Sequence, residues 1–331
     1  MQKYNVAIVG ATGAVGREML ALLSEREFPV EKVYAVASRR SAGKDVSFGE
    51  VEILKVESLE DFDFSKVDIA LFSAGSNVSK NYAEKAAQAG CFVIDNSSAF
   101  RMEHNIPLIV PEVNLDALGN EKLIANPNCV VIPIVLALKP LMNLAKIKRI
   151  VISTYQSVSG AGKKAMDELF NQTKSTIMYQ QAEHKIFEKQ IAFNILAKIG
   201  DYLPNGATEE EQKIVEETRK VLGGNIKVTA TCVRVPVFIG HSISLNVEFH
   251  DKIDLDKAKN ALTTAPGVLV DEDDFTTPME IVKSDEIMIS RIRIDESVDY
   301  GLNMWIVGDN IRKGAALNAV QIAEELTRET E

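Results

Sequence analysis

A doubly wound parallel α/β sheet, followed by an α+β domain with a mixed sheet, is the fold this sequence predicts. Three observations predict it. Short apolar runs alternate with helical spacing through the first hundred residues, and a glycine-rich turn follows the first run directly. After about residue 145 the pattern changes to longer strands, one of which, 243–249, alternates cleanly between apolar and polar residues. At 331 residues the chain exceeds one ordinary core and calls for two domains. We place the first at 1–127 with 310–331, since a terminal helix of this kind packs back on the first domain, and the second at 128–309.

Composition narrows the function. Hydrophobic residues make up 46% and charged residues 25%, the proportions of a globular chain. A net charge of −10 and a pI of about 5.1 argue against a nucleic-acid or anionic-membrane surface. Any anionic ligand therefore needs local arginines and lysines. Cys91, Cys129 and Cys232 are too far apart for a disulfide framework or a metal site, and suit a reducing compartment. The apolar stretch near the N-terminus is short and broken by glycine, so it reads as a strand and not a secretory signal. Other apolar runs fall short of the roughly 20 residues a membrane span needs. A cytoplasmic protein is expected.

Strand 4–9 runs into Gly10-Ala11-Thr12-Gly13-Ala14-Val15-Gly16, and helical spacing continues over 17–24. Glycines let the backbone approach a pyrophosphate, and a helix N-terminus supplies N–H donors, so this reads as a dinucleotide site with GxxGxxG spacing. Strand 33–37 ends at Ser38-Arg39-Arg40-Ser41, followed by Lys44. An NAD site normally places a carboxylate there for the ribose 2′-hydroxyl. Two arginines and two hydroxyls suit a 2′-phosphate instead, and point to NADP. A hairpin is expected over 46–56. Strand 68–72 carries Ser73 and Gly75 at its carboxyl end, where a doubly wound sheet binds ligands. Helix 78–89 and strand 91–94 follow. Arg101 lies beyond that strand's carboxyl end, placed to hold an anionic group.

Asn126-Pro127-Asn128-Cys129 puts a cysteine at the mouth of the apolar run 130–138, which Pro140 ends. The run reads as a buried helix with Asn128 as N-cap and Pro133 in the first turn, where a missing N–H costs least. A thiol there faces unpaired N–H groups and the positive end of the dipole, which favour the thiolate. A buried structural cysteine is the plain alternative. Strand 149–155 leads into Gln156-Ser157-Val158-Ser159-Gly160-Ala161-Gly162, and helices are expected over 163–175, 209–219 and 254–264. Strands are expected over 226–235, 243–249, 286–294 and 303–307, with a final helix over 310–327. Between two strands lies a bend, Arg234 to Ser242, that holds His241 in a glycine-flanked loop. His104, His184 and His250 have polar surroundings and read as surface residues. A cysteine with a histidine base makes a covalent nucleophile, and beside a nicotinamide the pair would run aldehyde-level redox chemistry through a thioester.

Taken in order, Gly10 to Gly16, Asn126 to Cys129, Gln156 to Gly162, Arg234-Val235-Pro236-Val237 and Gly240-His241-Ser242 resemble the aspartate-β-semialdehyde dehydrogenase family almost from end to end. The resemblance implies a Rossmann-like first domain, a second domain carrying a homodimer interface, and reversible reduction of aspartyl phosphate to the semialdehyde by NADP(H), on the route to lysine, threonine and methionine. It implies Cys129 as nucleophile, His241 as general acid/base and Gln156 as the residue that orients substrate. Arg234 would grip the substrate α-carboxylate, Glu210 its ammonium, and Lys213 with Arg101 the phosphate, with Asn128 also at the substrate. Which of Glu209, Glu210 and Glu211 matches the family's glutamate stays open. Gly10, Thr12, Gly13, Ala14, Val15, Ser38, Arg39, Arg40, Ser41, Ser73, Gly75, Ser159, Gly160 and Asn310 would hold the cofactor. No metal is implied. Val130-Val131 depart from the small or hydroxyl residues many relatives carry after the cysteine.

N-acetyl-glutamyl-phosphate reductase would share the cofactor turn and the Cys/His logic, but Arg234 and the Glu210/Lys213 segment suit a free amino acid. A malonyl-CoA-reducing relative would keep the Asn-Pro-Asn-Cys start. A non-catalytic NADP-binding homologue would be expected to lose Cys129 or His241, and both are present.

Overall fold

The computed structural model describes residues 2–50 and 52–328. Met1 and residues 329–331, assigned above to the first domain, and Val51, in the expected hairpin, lie outside the described residues. Two compact units divide the chain: 1–128 with 315–331, and 129–314.

In the first unit the strands are β1 (Tyr4–Val9), β2 (Val30–Ala37), β3 (Asp45–Phe48), β4 (Glu52–Lys55), β5 (Glu57–Ser58), β6 (Ile69–Phe72), β7 (Phe92–Asp95) and β8 (Leu123–Ala125). Helices α1 (Ala14–Glu25), α2 (Ser76–Gln88) and α3 (Pro111–Asn114) connect them. Six strands form one parallel sheet in the order β5-β2-β1-β6-β7-β8. Val6 to Val9 and Ile69 to Phe72 are buried throughout, as expected of parallel strands covered on both faces. Strand order reverses between β1 and β6, and at their carboxyl ends the backbones nearly touch. A Cβ on Gly10, whose φ is +96°, would fall 2.3 Å from the Ser73 carbonyl oxygen. β3 and β4 form the expected hairpin. β5, only two residues long, left no readable pattern.

The second unit opens with α4 (Val131–Met142), whose nine buried residues make it a core helix. Here two expectations are corrected. Val130, in helical conformation and without a side-chain cap, occupies the N-cap position instead of Asn128, and Pro140 lies inside the helix, which runs two residues further. A proline one turn from the end removes one intrahelical bond without stopping a helix held by its packing. There follow β9 (Ile147–Gln156), α5 (Lys163–Ile177), α6 (Glu209–Leu222), β10 (Lys227–Arg234), β11 (His241–Phe249), α7 (Leu255–Thr263), β12 (Val268–Asp271), β13 (Ile287–Ile294) and β14 (Gly301–Gly308). They build a mixed sheet, β10-β9-β11-β14-β13-β12, with β9 and β10 parallel and β11 antiparallel to both β9 and β14. Ile243, Leu245, Val247 and Phe249 face the core, as their alternation required.

His241 is not in a loop: it is the first residue of β11 and pairs with Gly308. The expected helix over 310–327 is also two elements. A π-helical stretch, Arg312–Leu317, precedes α8 (Asn318–Arg328). Ala319, Val320, Ile322, Ala323 and Leu326 of α8 join Met19, Leu20 and Leu23 of α1 in the first unit's core.

Candidate active site

In the first unit, the turn after β1 has the features a pyrophosphate needs. α1 begins at Gly13 without a side-chain cap, so its first-turn N–H groups face outward with no competing oxygen from the N-cap residue. Gly16 packs so tightly that a Cβ there would lie 2.3 Å from the Gly10 carbonyl oxygen. Gly13, Thr12, Ala14 and Val15 complete this turn, and Gly75, with φ +88°, turns the chain from β6 and Ser73 into α2.

Beyond β2, Ser38 precedes a short 3-10 turn over Arg39, Arg40 and Ser41. Two carboxylates that the sequence reading missed stand beside it. Arg39 Nη2 donates to Asp61 at 3.0 Å, and the Arg39 main-chain N–H donates to Glu60 at 3.0 Å. Its own hydrogen bonds, to its backbone and to Ser58, hold Glu60 below the usual carboxylate range. At the ends of β7 and β8, the buried Arg101 donates to the carbonyls of Asn126 (2.8 Å) and Asn96 (3.0 Å). Asn128 is buried too.

The second-unit residues expected to carry the chemistry converge at one end of its sheet. Gln156 ends β9 and Arg234 ends β10, paired in parallel register, while His241 begins the neighbouring β11. Cys129 Sγ lies 3.4 Å from His241 Nε2. The other two thiols are inert by environment: burial pushes Cys91 up to about 11 and Cys232 up to about 12. Only Cys129 is partly exposed. Burial, and then the Arg234 charge, drives His241 down to about 3, so its ring is neutral at neutral pH.

Arg234 Nη1 donates to the Ser157 carbonyl at 2.8 Å. It borders an open cleft of about 600 Å³ whose walls include Ala161, Phe187, Leu196 and Tyr202. Gln156 is oriented from both ends: Thr154 Oγ1 donates to its Oε1 (3.0 Å), and its Nε2 donates to Glu210 Oε1 (3.2 Å). Local geometry separates the three glutamates. Glu211 closes a capping box with Thr208 at the start of α6 and also accepts from the Cys232 N–H. Glu209 packs on Gly200, and Glu210 is the one that reaches Gln156. Lys213 Nζ stands 3.9 Å from Glu210, one turn along the helix.

Gly160 occupies a crowded spot, where a Cβ would lie 3.0 Å from Arg234 Nη1 and 3.4 Å from His241 Nε2. Ser159 and Asn310, both buried, hydrogen-bond to each other and to Ser157. The sequence reading missed Ser157, which contacts His241 through both N–H and hydroxyl. It lies inside the Gln156 to Gly162 motif, but its partners are 84 and 153 residues away. His104, His184 and His250 are exposed. Among the described residues no group of three or more His, Cys, Asp or Glu could hold a metal ion, and no helix is long and apolar enough to cross a membrane.

Residues 5–121 match the NAD-binding domain of the semialdehyde dehydrogenase family, and residues 138–313 match that family's dimerisation domain. The aspartate-semialdehyde dehydrogenase of Rickettsia conorii is 54% identical, over 98% of this chain and 98% of its own. A crystal structure of aspartate semialdehyde dehydrogenase II from Vibrio cholerae superposes with a TM-score of 0.97 at 47% identity, over 99% of both chains. The same Vibrio enzyme complexed with ASA matches with the same values.

Proposed function

The chain belongs to the aspartate-semialdehyde dehydrogenase family, and we propose that it carries out that family's reaction with NADP through a thioester on Cys129. As an enzyme of this family it is an oxidoreductase of amino-acid biosynthesis. The observation that carries the proposal is the Cys129–His241 pair, with the buried Arg234 beside it.

In the oxidative direction the Cys129 thiolate attacks the aldehyde carbon. A C–S bond forms, and the carbonyl electron pair moves to oxygen. The hydride then leaves carbon with its electron pair, and the oxygen pair re-forms C=O as a thioester. Phosphate oxygen attacks that carbon, and the Cys129 thiolate departs, giving the acyl phosphate. Accepting and returning the hydride is the chemistry that NADP would supply when bound. Gln156, braced by Thr154 and Glu210, orients the reacting group. His241 serves the thiohemiacetal oxygen as its acid/base partner. A guanidinium at Arg234 matches a carboxylate with two parallel donors, Glu210 suits the substrate ammonium, and phosphate is assigned to Lys213 and Arg101.

Support for the cofactor comes from the glycine turn at the uncapped start of α1 and from the basic Ser38 to Ser41 turn, which suits a 2′-phosphate. We also propose that the second domain pairs two copies of the chain, in keeping with the dimerisation domain it matches.

The test is phosphate-dependent formation of reduced nicotinamide from aspartate semialdehyde, run with NADP⁺ and NAD⁺, with N-acetylglutamate semialdehyde, and with Cys129→Ala. Turnover on the free semialdehyde with NADP⁺, lost in the variant, is expected. Activity confined to the acetylated aldehyde would reassign the substrate.

A further inference from the structure

We propose that Asn310, Ser159 and Ser157 form a chain of donors that locks His241 in the tautomer with its proton on Nε2, which makes Ser157 and Asn310 positioning residues for the reacting pair. A main-chain N–H can only donate, and that of Gly240 points at Asn310 Oδ1 at 2.9 Å. The Asn310 amide is thereby oriented, and its Nδ2 donates to Ser159 Oγ at 2.9 Å. Having accepted, Ser159 can pass its own hydrogen to Ser157 Oγ at 3.0 Å, and Ser157 Oγ can pass its hydrogen to His241 Nδ1 at 3.0 Å.

The Ser157 main-chain N–H reaches the same Nδ1, also at 3.0 Å. Both serine hydroxyls lie within reach of Asn310 Oδ1 as well, at 3.1 and 3.2 Å. Even with Ser157 Oγ turned that way, its main-chain N–H stays on Nδ1. Nδ1 is therefore an acceptor, and the neutral ring carries its proton on Nε2, 3.4 Å from Cys129 Sγ.

Two consequences follow for the reaction proposed above, on which this inference rests. In the resting enzyme the Nε2–H of His241 donates to the sulfur, which favours the thiolate, and the thiol proton passes to solvent, which reaches the partly exposed Cys129, and not to the ring. Once the C–S bond has formed, the same Nε2–H donates to the alkoxide that the carbonyl electron pair creates. No proton need leave the ring before the hydride departs, so a neutral histidine suffices. Burial and the Arg234 charge, which keep the ring neutral, act in the same direction.

The experiment is nitrogen-15 NMR of the full-length enzyme labelled at histidine, with His241→Gln to assign the His241 signals against those of the three exposed histidines. At neutral pH, Nδ1 of His241 is expected to show the unprotonated ring-nitrogen shift and Nε2 the protonated one, with no titration through mildly acidic pH. Ser157→Ala should move the Nδ1 resonance and lower kcat roughly three- to tenfold, the equivalent of one neutral hydrogen bond. KM for the semialdehyde should stay within about twofold, because Ser157 acts on His241 and not on the bound substrate. A protonated Nδ1 in the native enzyme would overturn the inference, and so would a Ser157→Ala enzyme with an unmoved resonance and unchanged kcat. An unprotonated Nδ1 in an enzyme without dehydrogenase turnover would sink the catalytic reading and leave the tautomer standing.

Discussion

Arg234 Nη1 donates to the main-chain carbonyl of Ser157 at 2.8 Å, and the N–H of that same residue holds His241 Nδ1 at 3.0 Å. One residue thus ties the proposed carboxylate-binding group to the proposed acid/base group. Arg234→Lys should damage both. A lysine has no planar fork and would lose the Ser157 carbonyl or the carboxylate. A charged hydrogen bond is worth about 1.5–3 kcal/mol, so KM for the semialdehyde should rise roughly 10- to 100-fold, with kcat also reduced. Steady-state kinetics check this. An unchanged KM would remove Arg234 from the substrate.

His241 also makes stability depend on pH. Its folded-state value is pushed from 6.5 down to about 3, so below the unfolded value the unfolded chain binds the proton and the folded chain does not. Stability from this group is complete above about 6.5 and declines as pH falls towards 3, by up to about 1.4 kcal/mol per pH unit. Thermal unfolding of the native protein and of His241→Gln, followed from neutral to mildly acidic pH, should show the steeper acid loss of Tm in the native protein. Parallel curves would mean that the ring is not buried neutral.

Asp61 competes for the arginine assigned to the 2′-phosphate. The Arg39–Asp61 pair is exposed, with side chains 69% and 67% accessible, so it is weak and exchangeable. Asp61→Asn should lower KM for NADP by roughly two- to fivefold and leave KM for NAD nearly unchanged. An equal effect on both cofactors would place the 2′-phosphate elsewhere.

Gly160→Ala tests the space between Arg234 and His241. A Cβ at 3.0 Å from Nη1 and 3.4 Å from Nε2 forces one of them to shift. A misplacement of about 1 Å at a reacting centre can cost roughly 100-fold in rate, and the shift needed here is a few tenths of an ångström, so a loss of several-fold is expected. Activity should fall on that scale while Tm changes little, because the clash is with side-chain ends. Full activity would show that Arg234 and His241 accommodate the added methyl without losing their working positions.

The parts of the fold that could be read from the sequence were those written in local patterns. β6 is an unbroken apolar run and β1 is one from Val6 onward, β11 alternates from Ile243 onward, and the Gly10 to Gly16 turn follows its strand directly. Misreadings arose where local signals competed with packing. Asn128 looked like a cap, but Val130 takes the cap position without one. His241 looked like a loop residue because Gly240, with φ +93°, breaks the pattern one residue before the strand begins. The last helix looked continuous, yet it opens with a π-helical stretch in which a Cβ on Gly314 would lie 3.1 Å from the Cys129 carbonyl oxygen. Cys129, His241, Gln156 and Arg234 were found through motifs. Ser157, Asn310 and Gly240 as a single network, and Asp61 beside Arg39, depend on contacts between distant positions that no periodicity records.

The central claim is that Cys129 carries the substrate as a thioester. Its most direct test is a rapid-mixing experiment with semialdehyde and NADP⁺ in the absence of phosphate. A thioester on Cys129 gives a burst of reduced cofactor of about one equivalent per active site, as the acyl-enzyme accumulates, then turnover once phosphate is added. Cys129→Ala should show neither. Steady turnover with phosphate but no burst without it, or a burst that survives in the variant, would contradict the thioester.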